Sequence, residues 1–170
     1  MEQFDIVVVG AGPAGLCFAR ALADTGLAVG IVERQPLAVL EKPAFDGREI
    51  ALTHRSVRLL RELGVWGRIA AHEVSPLVDA RVTNGGAPDG LLIGHDDGRA
   101  EALGWLVPNH AIRAAAYEAV ADVASLRLAA GRAVKALQVD ADAARVSLDD
   151  GSTWQARLVV AADSRFSEMR

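Results

Sequence analysis

The chain has 170 residues, of which 51% are hydrophobic and 24% charged, a balance that predicts one soluble globular domain with a real core. The formal net charge is −4 and no basic face stands out, which argues against sequence-independent binding of nucleic acid, because neutralising phosphates needs clustered lysines and arginines. The single cysteine, Cys17, excludes an intrachain disulfide and a cysteine metal cluster, and it indicates a reducing compartment.

The first 33 residues have the pattern of a strand, a helix and a second strand. Residues 5–9 form a continuous β-branched run, which predicts a strand buried on both faces of a parallel sheet. Apolar residues at helical spacing follow Pro13 and predict a helix that ends at Gly26. Residues 29–33 predict the second strand. This βαβ unit implies a parallel sheet with a right-handed crossover.

The rest of the chain predicts more helices and strands after an irregular stretch over residues 35–47. Helices are expected over 54–63 and 109–123, with a short helical turn over 66–71. Strands are expected over 76–84, 90–95, 126–129, 132–139, 143–148 and 153–162. The first two flank a loop over 84–90. The fold class that follows is α/β, a Rossmann-like domain with a parallel central sheet and an antiparallel β insert.

A glycine-rich loop follows the first predicted strand and opens the first predicted helix, which is the context that a dinucleotide-binding loop requires. The loop reads G-x-G-x-x-G and consists of Gly10, Ala11, Gly12, Pro13, Ala14 and Gly15. Gly10 allows the tight turn, Gly12 lets a diphosphate approach the backbone, and Gly15 lets the helix pack closely on the strand. The diphosphate is expected at the amino end of the helix, on free N–H groups and the positive end of the dipole.

Glu33 lies 18 residues after Gly15, at the end of the second predicted strand. A carboxylate there accepts hydrogen bonds from ribose hydroxyls and repels a 2′-phosphate, which argues against NADP. The neighbouring Arg34 weakens that argument and is itself a candidate for the site. These residues predict a dinucleotide site and leave both FAD and NAD open as its ligand.

Four segments carry a family resemblance, in the same order as in the family. They are GAGPAG at 10–15, DGREIAL at 46–52, VPNHAIR at 107–113 and AADSRFSEMR at 161–170. Together they resemble the para-hydroxybenzoate-hydroxylase-type FAD monooxygenases, in particular the flavin hydroxylases of ubiquinone biosynthesis. Within that branch DGREIALTH and AADSRFS are most similar to the 5-demethoxyubiquinol 5-hydroxylases. The resemblance covers the whole chain but only about two fifths of a family member, so the chain is expected to be truncated relative to the family.

The resemblance implies roles for single residues in the middle of the chain. Arg48 matches an arginine that approaches the FAD diphosphate, where a guanidinium makes charge-assisted, bidentate contacts. Asn109 matches a polar residue that hydrogen-bonds the flavin side of the cofactor, with an N-cap of the following helix as the alternative. Arg113, one helical turn later, is expected to face the same cleft, with a solvent-exposed side chain as the alternative. Val134 matches a position whose backbone meets the adenine.

Further roles are implied at the end of the chain. Asp163 matches an aspartate that closes on the ribose and diphosphate and assists NAD(P)H binding. Ser164 follows it where the family has glycine, and a Cβ makes a left-handed turn costly there. Arg170 matches an arginine that braces the same loop.

The implied activity is FAD-dependent hydroxylation of an aromatic ring, on a polyprenyl phenol or quinol intermediate of ubiquinone biosynthesis. Molecular oxygen is the expected co-substrate and NAD(P)H a candidate reductant. The expected partners are this lipid-like substrate and a ubiquinone-biosynthesis complex, with no transmembrane segment and a cytoplasmic location peripheral to the inner membrane face. Residues 1–170 are expected to be the N-terminal part of the FAD-binding domain, with residues about 74–106 an inserted β segment of the substrate-side sheet.

No catalytic side chain and no metal site are expected, because the cofactor carries the chemistry. Thr53 is expected to cap a helix, and His54 to cap or line a cleft rather than act as a base. Two alternatives stay open: an NAD-dependent dehydrogenase domain, which Glu33 permits, and a non-catalytic dinucleotide-binding remnant. The family's downstream Gly-Asp flavin motif is not among the 170 residues, so this polypeptide alone is expected to bind FAD weakly or not at all and to lack hydroxylase activity.

Overall fold

A computed structural model describes residues 1–83, 85, 90–98, 100–163, 167 and 169. The described chain divides into two compact units. The first contains residues Met1–Ala44 and Arg113–Arg170, and the second contains Phe45–Ile112. The expectations for Ser164, Arg170 and most of the loop over 84–90 fall outside the described residues.

The first unit is built on a six-stranded sheet. Its strands are β1 (Glu2–Val9), β2 (Val29–Glu33), β8 (Leu126–Ala130), β9 (Val134–Val139), β10 (Ala144–Leu148) and β11 (Thr153–Ala161), in the spatial order β8-β2-β1-β11-β10-β9. The first four strands of that order are parallel, and β10 and β9 join as an antiparallel pair. The helices α1 (Pro13–Leu22) and α2 (Leu37–Glu41) belong to the same unit. The expected α/β class with a parallel central sheet is confirmed.

The core of this unit lies along the central strands. Val7 and Val8 of β1 and Ile31 of β2 are fully buried, as expected for strands covered on both faces. Trp154 of β11 is also buried, and its ring lies directly over Gly30 of β2. A Cβ on Gly30 would stand 2.7 Å from the indole ring, so β2 needs a glycine at this position to make room for the tryptophan.

The second unit contains two small antiparallel sheets and one long helix. Its elements are β3 (Glu49–Leu52), α3 (His54–Glu62), β4 (Ser75–Leu77), β5 (Asp79–Val82), β6 (Leu91–Gly94) and β7 (Gly104–Pro108), with short 3₁₀ turns at Trp66–Arg68, Ala71–Glu73 and His95–Gly98. One sheet has the order β3-β7-β4 and the other pairs β5 with β6. The helix α4 (Asn109–Glu118) begins in this unit, and the chain continues through it into the first.

Several elements differ from expectation. The stretch over 35–47, expected to be irregular, contains α2, and neither β3 nor β7 was expected. The strand expected over 76–84 is two short strands, β4 and β5. The helix expected over 109–123 ends at Glu118, where non-helical turns begin. Each difference involves an element of only three to five residues or a helix end, where local pattern is weakest.

Candidate functional site

The glycine-rich loop connects β1 to α1 at the carboxyl end of the parallel strands. The backbone N–H of Gly10 donates to the carbonyl of Val32, at 2.8 Å, which ties the loop to the neighbouring strand. Gly10 has a φ of 106°, and a Cβ there would lie 2.5 Å from the carbonyl oxygen of Ala162. Gly10 is therefore required both for its backbone conformation and for the close approach of β11.

Gly15 and Gly12 are small for different reasons. A Cβ on Gly15 would collide with the carbonyl oxygen of Gly10, so the first turn of α1 can pack on the loop only without a side chain. A Cβ on Gly12 would meet no protein atom within 4 Å, and its backbone, with a φ of −72°, is one that any residue can adopt. The protein itself therefore does not explain the glycine at position 12, whereas a ligand lying on the backbone would.

The amino end of α1 has no side-chain cap among the described residues, and its first turn carries no acidic residue. Pro13 occupies the first helical position and has no N–H, while the first-turn N–H groups of Ala14 and Gly15 have no intrahelical acceptor. Such groups, with the positive end of the helix dipole, form a site for an anion.

Glu33 ends β2 and connects two loops through its carboxylate. One oxygen accepts a hydrogen bond from the backbone N–H of Ala11 at 2.7 Å, and the other accepts from Gln35 at 2.8 Å. These contacts fix the carboxylate beside the glycine-rich loop, and each oxygen keeps a further lone pair for a ligand hydroxyl. The sequence placed Glu33 near the loop but gave no sign of these two backbone partners.

A pocket of about 210 Å³ lies at this end of the first unit. It is lined by the predicted residues Gly10, Gly12, Glu33, Arg34, Arg113, Val134 and Asp163, together with others from the same strand ends. Arg113 is held there by a hydrogen bond of 2.7 Å from its guanidinium to the side-chain oxygen of Gln35. Seven residues predicted over a span of more than 150 positions therefore meet at one pocket, and Pro13, Ala14 and Gly15 form the helix start beside it.

Arg132 is a pocket residue that the sequence did not indicate. It follows the turn at Gly131, and its guanidinium pairs with the carboxylate of Asp150 at 2.9 Å. This pairing lowers the pKa of Asp150, although hydrogen bonds from Ser152 lower it more. The signal that could have found Arg132 is its position after the strand next to β2, where carboxyl ends of parallel strands meet.

Arg48 and Asn109 lie in the second unit, where both contact Asp46. The Arg48 guanidinium donates to one oxygen of Asp46 from Nη2 at 2.6 Å and from Nε at 2.9 Å, and the side-chain amide of Asn109 donates to the same oxygen at 2.8 Å. Asn109 is 8% exposed, and its backbone N–H donates to the carbonyl of Arg48. The Arg48 hydrogen bonds hold the pKa of Asp46 well below its usual range.

The remaining candidates have structural roles. Thr53 caps α3, accepting a hydrogen bond from the N–H of Ser56, as expected. His54 contacts the carbonyl of Ala102 at 2.8 Å through Nε2, and its ring lies edge-on to Trp105. Cys17 is half-buried, and burial raises the pKa of its thiol, which makes it a poor nucleophile. Within the described residues no group of histidine, cysteine and carboxylate side chains could hold a metal ion.

None of the helices in the described part of the chain has the length and apolar character of a membrane span.

The sequence matches the family described as FAD binding domain over residues 3–170. It is 46% identical to ubiquinone hydroxylase UbiM of Neisseria meningitidis, over 98% of this chain and 37% of that protein. It is 34% identical to ubiquinone hydroxylase UbiL of Rhodospirillum rubrum, over 98% of this chain and 38% of that protein. Identity to 3-demethoxyubiquinol 3-hydroxylase of Escherichia coli is 27%, over 99% of this chain and 43% of that protein.

A solved structure, p-nitrophenol 4-monooxygenase PnpA from Pseudomonas putida, superposes with a TM-score of 0.78 at 18% identity, over 100% of this chain and 43% of that one. At that identity the likeness speaks for the fold alone. The chain spans less than half the length of each of these four proteins.

Proposed function

The chain belongs to the FAD-binding-domain family, and from that premise we propose that the whole protein is an FAD-dependent hydroxylase of ubiquinone biosynthesis. The resemblance to the ubiquinone branch of FAD monooxygenases is confirmed, and the family favours FAD over the NAD of the dehydrogenase alternative. The observation that carries the proposal is the 46% identity to ubiquinone hydroxylase UbiM across nearly the whole chain.

The shape of the dinucleotide pocket supports binding of a diphosphate. The open space over Gly12, beside the uncapped end of α1, is a cradle that a Cβ would fill. The volume of the whole pocket, about 210 Å³, is below the roughly 300–1,000 Å³ typical of small-molecule sites. We infer that this pocket takes the adenosine and diphosphate end of FAD rather than the entire cofactor.

Each site residue of the first unit has a proposed role in binding the adenosine and diphosphate end of FAD. The N–H groups at the start of α1 bind the diphosphate, and the fixed carboxylate of Glu33 accepts hydrogen bonds from the ribose hydroxyls. Val134 meets the adenine through its backbone, and Asp163 closes on the ribose and diphosphate. Arg34 and Arg113 add positive charge around a ligand that carries two negative phosphates.

The second unit has a proposed role toward the rest of the cofactor. Arg48 contacts the diphosphate and Asn109 hydrogen-bonds the flavin side, with Asp46 fixing the orientation of both side chains. Residues about 74–106 are proposed to be a β segment of the substrate-side sheet, which the antiparallel strands β4 to β7 support.

When bound, FAD supplies the electron transfer and oxygen activation that ring hydroxylation needs. The proposed substrate is a polyprenyl phenol or quinol, because the similar proteins UbiM and UbiL are ubiquinone hydroxylases. Molecular oxygen is the proposed co-substrate and NAD(P)H the proposed reductant. The protein is proposed to be cytoplasmic, peripheral to the inner membrane face and associated with other ubiquinone-biosynthesis enzymes.

The test uses the protein from its complete reading frame and a strain that lacks the gene. We expect the purified protein to show flavin absorption bands, and the deletion strain to accumulate a ubiquinone precursor short of one ring hydroxyl. Precursor hydroxylation should return with the wild-type gene and should not return with a Gly12→Ala variant. Colourless protein that binds NADH would support the dehydrogenase alternative. Flavin-containing protein whose loss leaves ubiquinone intermediates unchanged would support the non-catalytic remnant.

A further inference from the structure

The exposed side of α3 carries three arginines. Arg55, Arg58 and Arg61 follow one another at three-residue spacing and are all exposed; we call them the arginine face. No carboxylate of the described residues lies within ion-pair distance of any of the three.

The other described arginines fall into two groups. Arg20, Arg48, Arg127, Arg132, Arg145 and Arg157 each lie within 4 Å of an aspartate or glutamate, whereas Arg34, Arg68, Arg81 and Arg113 do not. The whole chain has 22 acidic residues and a net charge of −4, whereas residues 54–68 contain four arginines and one glutamate. Acidic residues are thus plentiful in the protein, whereas α3 carries only one, the exposed Glu62, against three arginines.

The same surface includes an apolar side chain. Leu59 lies on the exposed side of α3, one turn after Arg55, and is 50% exposed, while Val57 and Leu60 are buried and fix the helix on the second unit. Arg61 extends over the ring of Trp66, 5.7 Å from its centre. Exposed arginines beside an exposed leucine on one side of a helix are typical of a surface that binds lipid headgroups and inserts an apolar side chain below them.

We propose that the arginine face, with Leu59, docks α3 on a membrane surface of anionic phospholipids. The inference deepens the proposed function and rests on it, because a hydroxylase of a polyprenyl quinol must take its substrate from a membrane. A guanidinium binds lipid phosphate through paired hydrogen bonds. A lipid surface is favoured over nucleic acid because three arginines along about 9 Å of helix fall short of the roughly 6–10 phosphate contacts of a typical DNA-binding protein.

The size of the effect follows from the number of charges. Each arginine near an anionic surface strengthens binding by about fivefold, so removing all three should weaken it by about 100-fold. The attraction should fall as salt is raised, because the Debye length shortens to about 8 Å at physiological ionic strength. Binding of this strength suits an enzyme that attaches to the membrane reversibly.

The test measures sedimentation of the complete protein with vesicles of phosphatidylcholine, with or without phosphatidylglycerol. The variant is Arg55→Gln/Arg58→Gln/Arg61→Gln, and its matched control is Arg127→Gln/Arg145→Gln/Arg157→Gln, which removes the same charge from paired sites. We expect wild type and control to bind phosphatidylglycerol vesicles similarly and the arginine-face variant to bind about 100-fold more weakly. Replacing the three arginines with lysine should restore most of the binding, and Leu59→Ala should reduce it several-fold.

Equal vesicle binding by the arginine-face variant and its control would overturn the proposal. The proposal would also be overturned if the arginine-face variant kept vesicle binding but lost binding to a single-stranded oligonucleotide. That result would assign the arginine face to nucleic acid. Flavin content and hydroxylation of a short-chain quinol in detergent are measured on the same samples. If the arginine-face variant has normal flavin content, normal hydroxylation and unaltered vesicle binding, only the docking surface is rejected. If the wild type shows no hydroxylation, the proposed function is rejected.

Discussion

Replacing Gly12 with alanine should separate ligand binding from folding. The new Cβ meets no protein atom within 4 Å, and the backbone at this position suits alanine. Reduced freedom of the unfolded chain contributes about 0.4–1 kcal/mol of stability, and alanine is a poorer N-cap than glycine by a similar amount. The free energy of unfolding should therefore change by less than about 1 kcal/mol.

FAD affinity should fall sharply in the same variant. The methyl group occupies the space over the amino end of α1, and the diphosphate loses one or two charge-assisted hydrogen bonds. Each is worth about 1.5–3 kcal/mol, so the dissociation constant should rise at least about tenfold. Urea unfolding measures the stability, and titration of the apoprotein with FAD measures the affinity.

Two other glycines serve as controls for this prediction. Gly67→Ala also places a Cβ in open space, at a site with no proposed ligand, and should leave FAD affinity unchanged while stability changes by less than about 1 kcal/mol. Gly15→Ala forces a Cβ against the carbonyl of Gly10 and should cost about 3 kcal/mol or more of stability. If Gly12→Ala binds FAD as tightly as wild type, the assignment of the loop to the diphosphate is refuted.

Three further predictions follow from single contacts. Glu33→Gln leaves one of its two backbone donors facing an amide N–H, and urea unfolding should show a loss of about 1–3 kcal/mol; unchanged stability would mean that the carboxylate does not hold the loops. Gly30→Ala pushes a methyl group into the ring of Trp154 and should cost about 1–3 kcal/mol, with an altered near-ultraviolet circular dichroism spectrum. Asp46→Asn should destabilise the protein at neutral pH, since the lowered pKa of Asp46 stabilises the fold above its unfolded pKa of about 4. That difference should shrink as the pH falls below about 4, and a difference that grows on acidification would contradict the ion pair with Arg48.

The sequence predicts the parallel half of the fold well, because its signals are local. The strand over 29–33 is observed at the same bounds, since a continuous apolar run and a terminal Glu33 mark it clearly. β3 and β7 went unpredicted because each has four or five residues and pairs with a partner more than 50 positions away. α2 has five residues between two prolines, and local periodicity cannot identify so short a helix.

The candidate site divides in the same way. The glycine spacing and Glu33 were predicted because their chemistry depends on residues that are near one another in the βαβ unit. Two contacts were not predicted, because each joins residues distant in sequence through tertiary structure. They are the Arg132–Asp150 pair and the contact of Asn109 with Asp46. Identity of a side chain can be read from the sequence, whereas its hydrogen-bond partner often cannot.

The contact of Arg48 with Asp46 is compatible with a second contact to phosphate. Asp46 occupies Nε and one hydrogen of Nη2, so the edge formed by Nη1 and the other hydrogen of Nη2 is not used by this pair. The Arg48 side chain is 65% exposed, which leaves that edge open to a ligand. An arginine side chain carries about 2 kcal/mol of rotamer entropy, and an ion pair that fixes its orientation removes part of this cost before the anion binds. If Arg48 contacts the diphosphate as proposed, we expect Asp46 to improve diphosphate binding by holding Arg48 in this orientation, although its own negative charge opposes that binding.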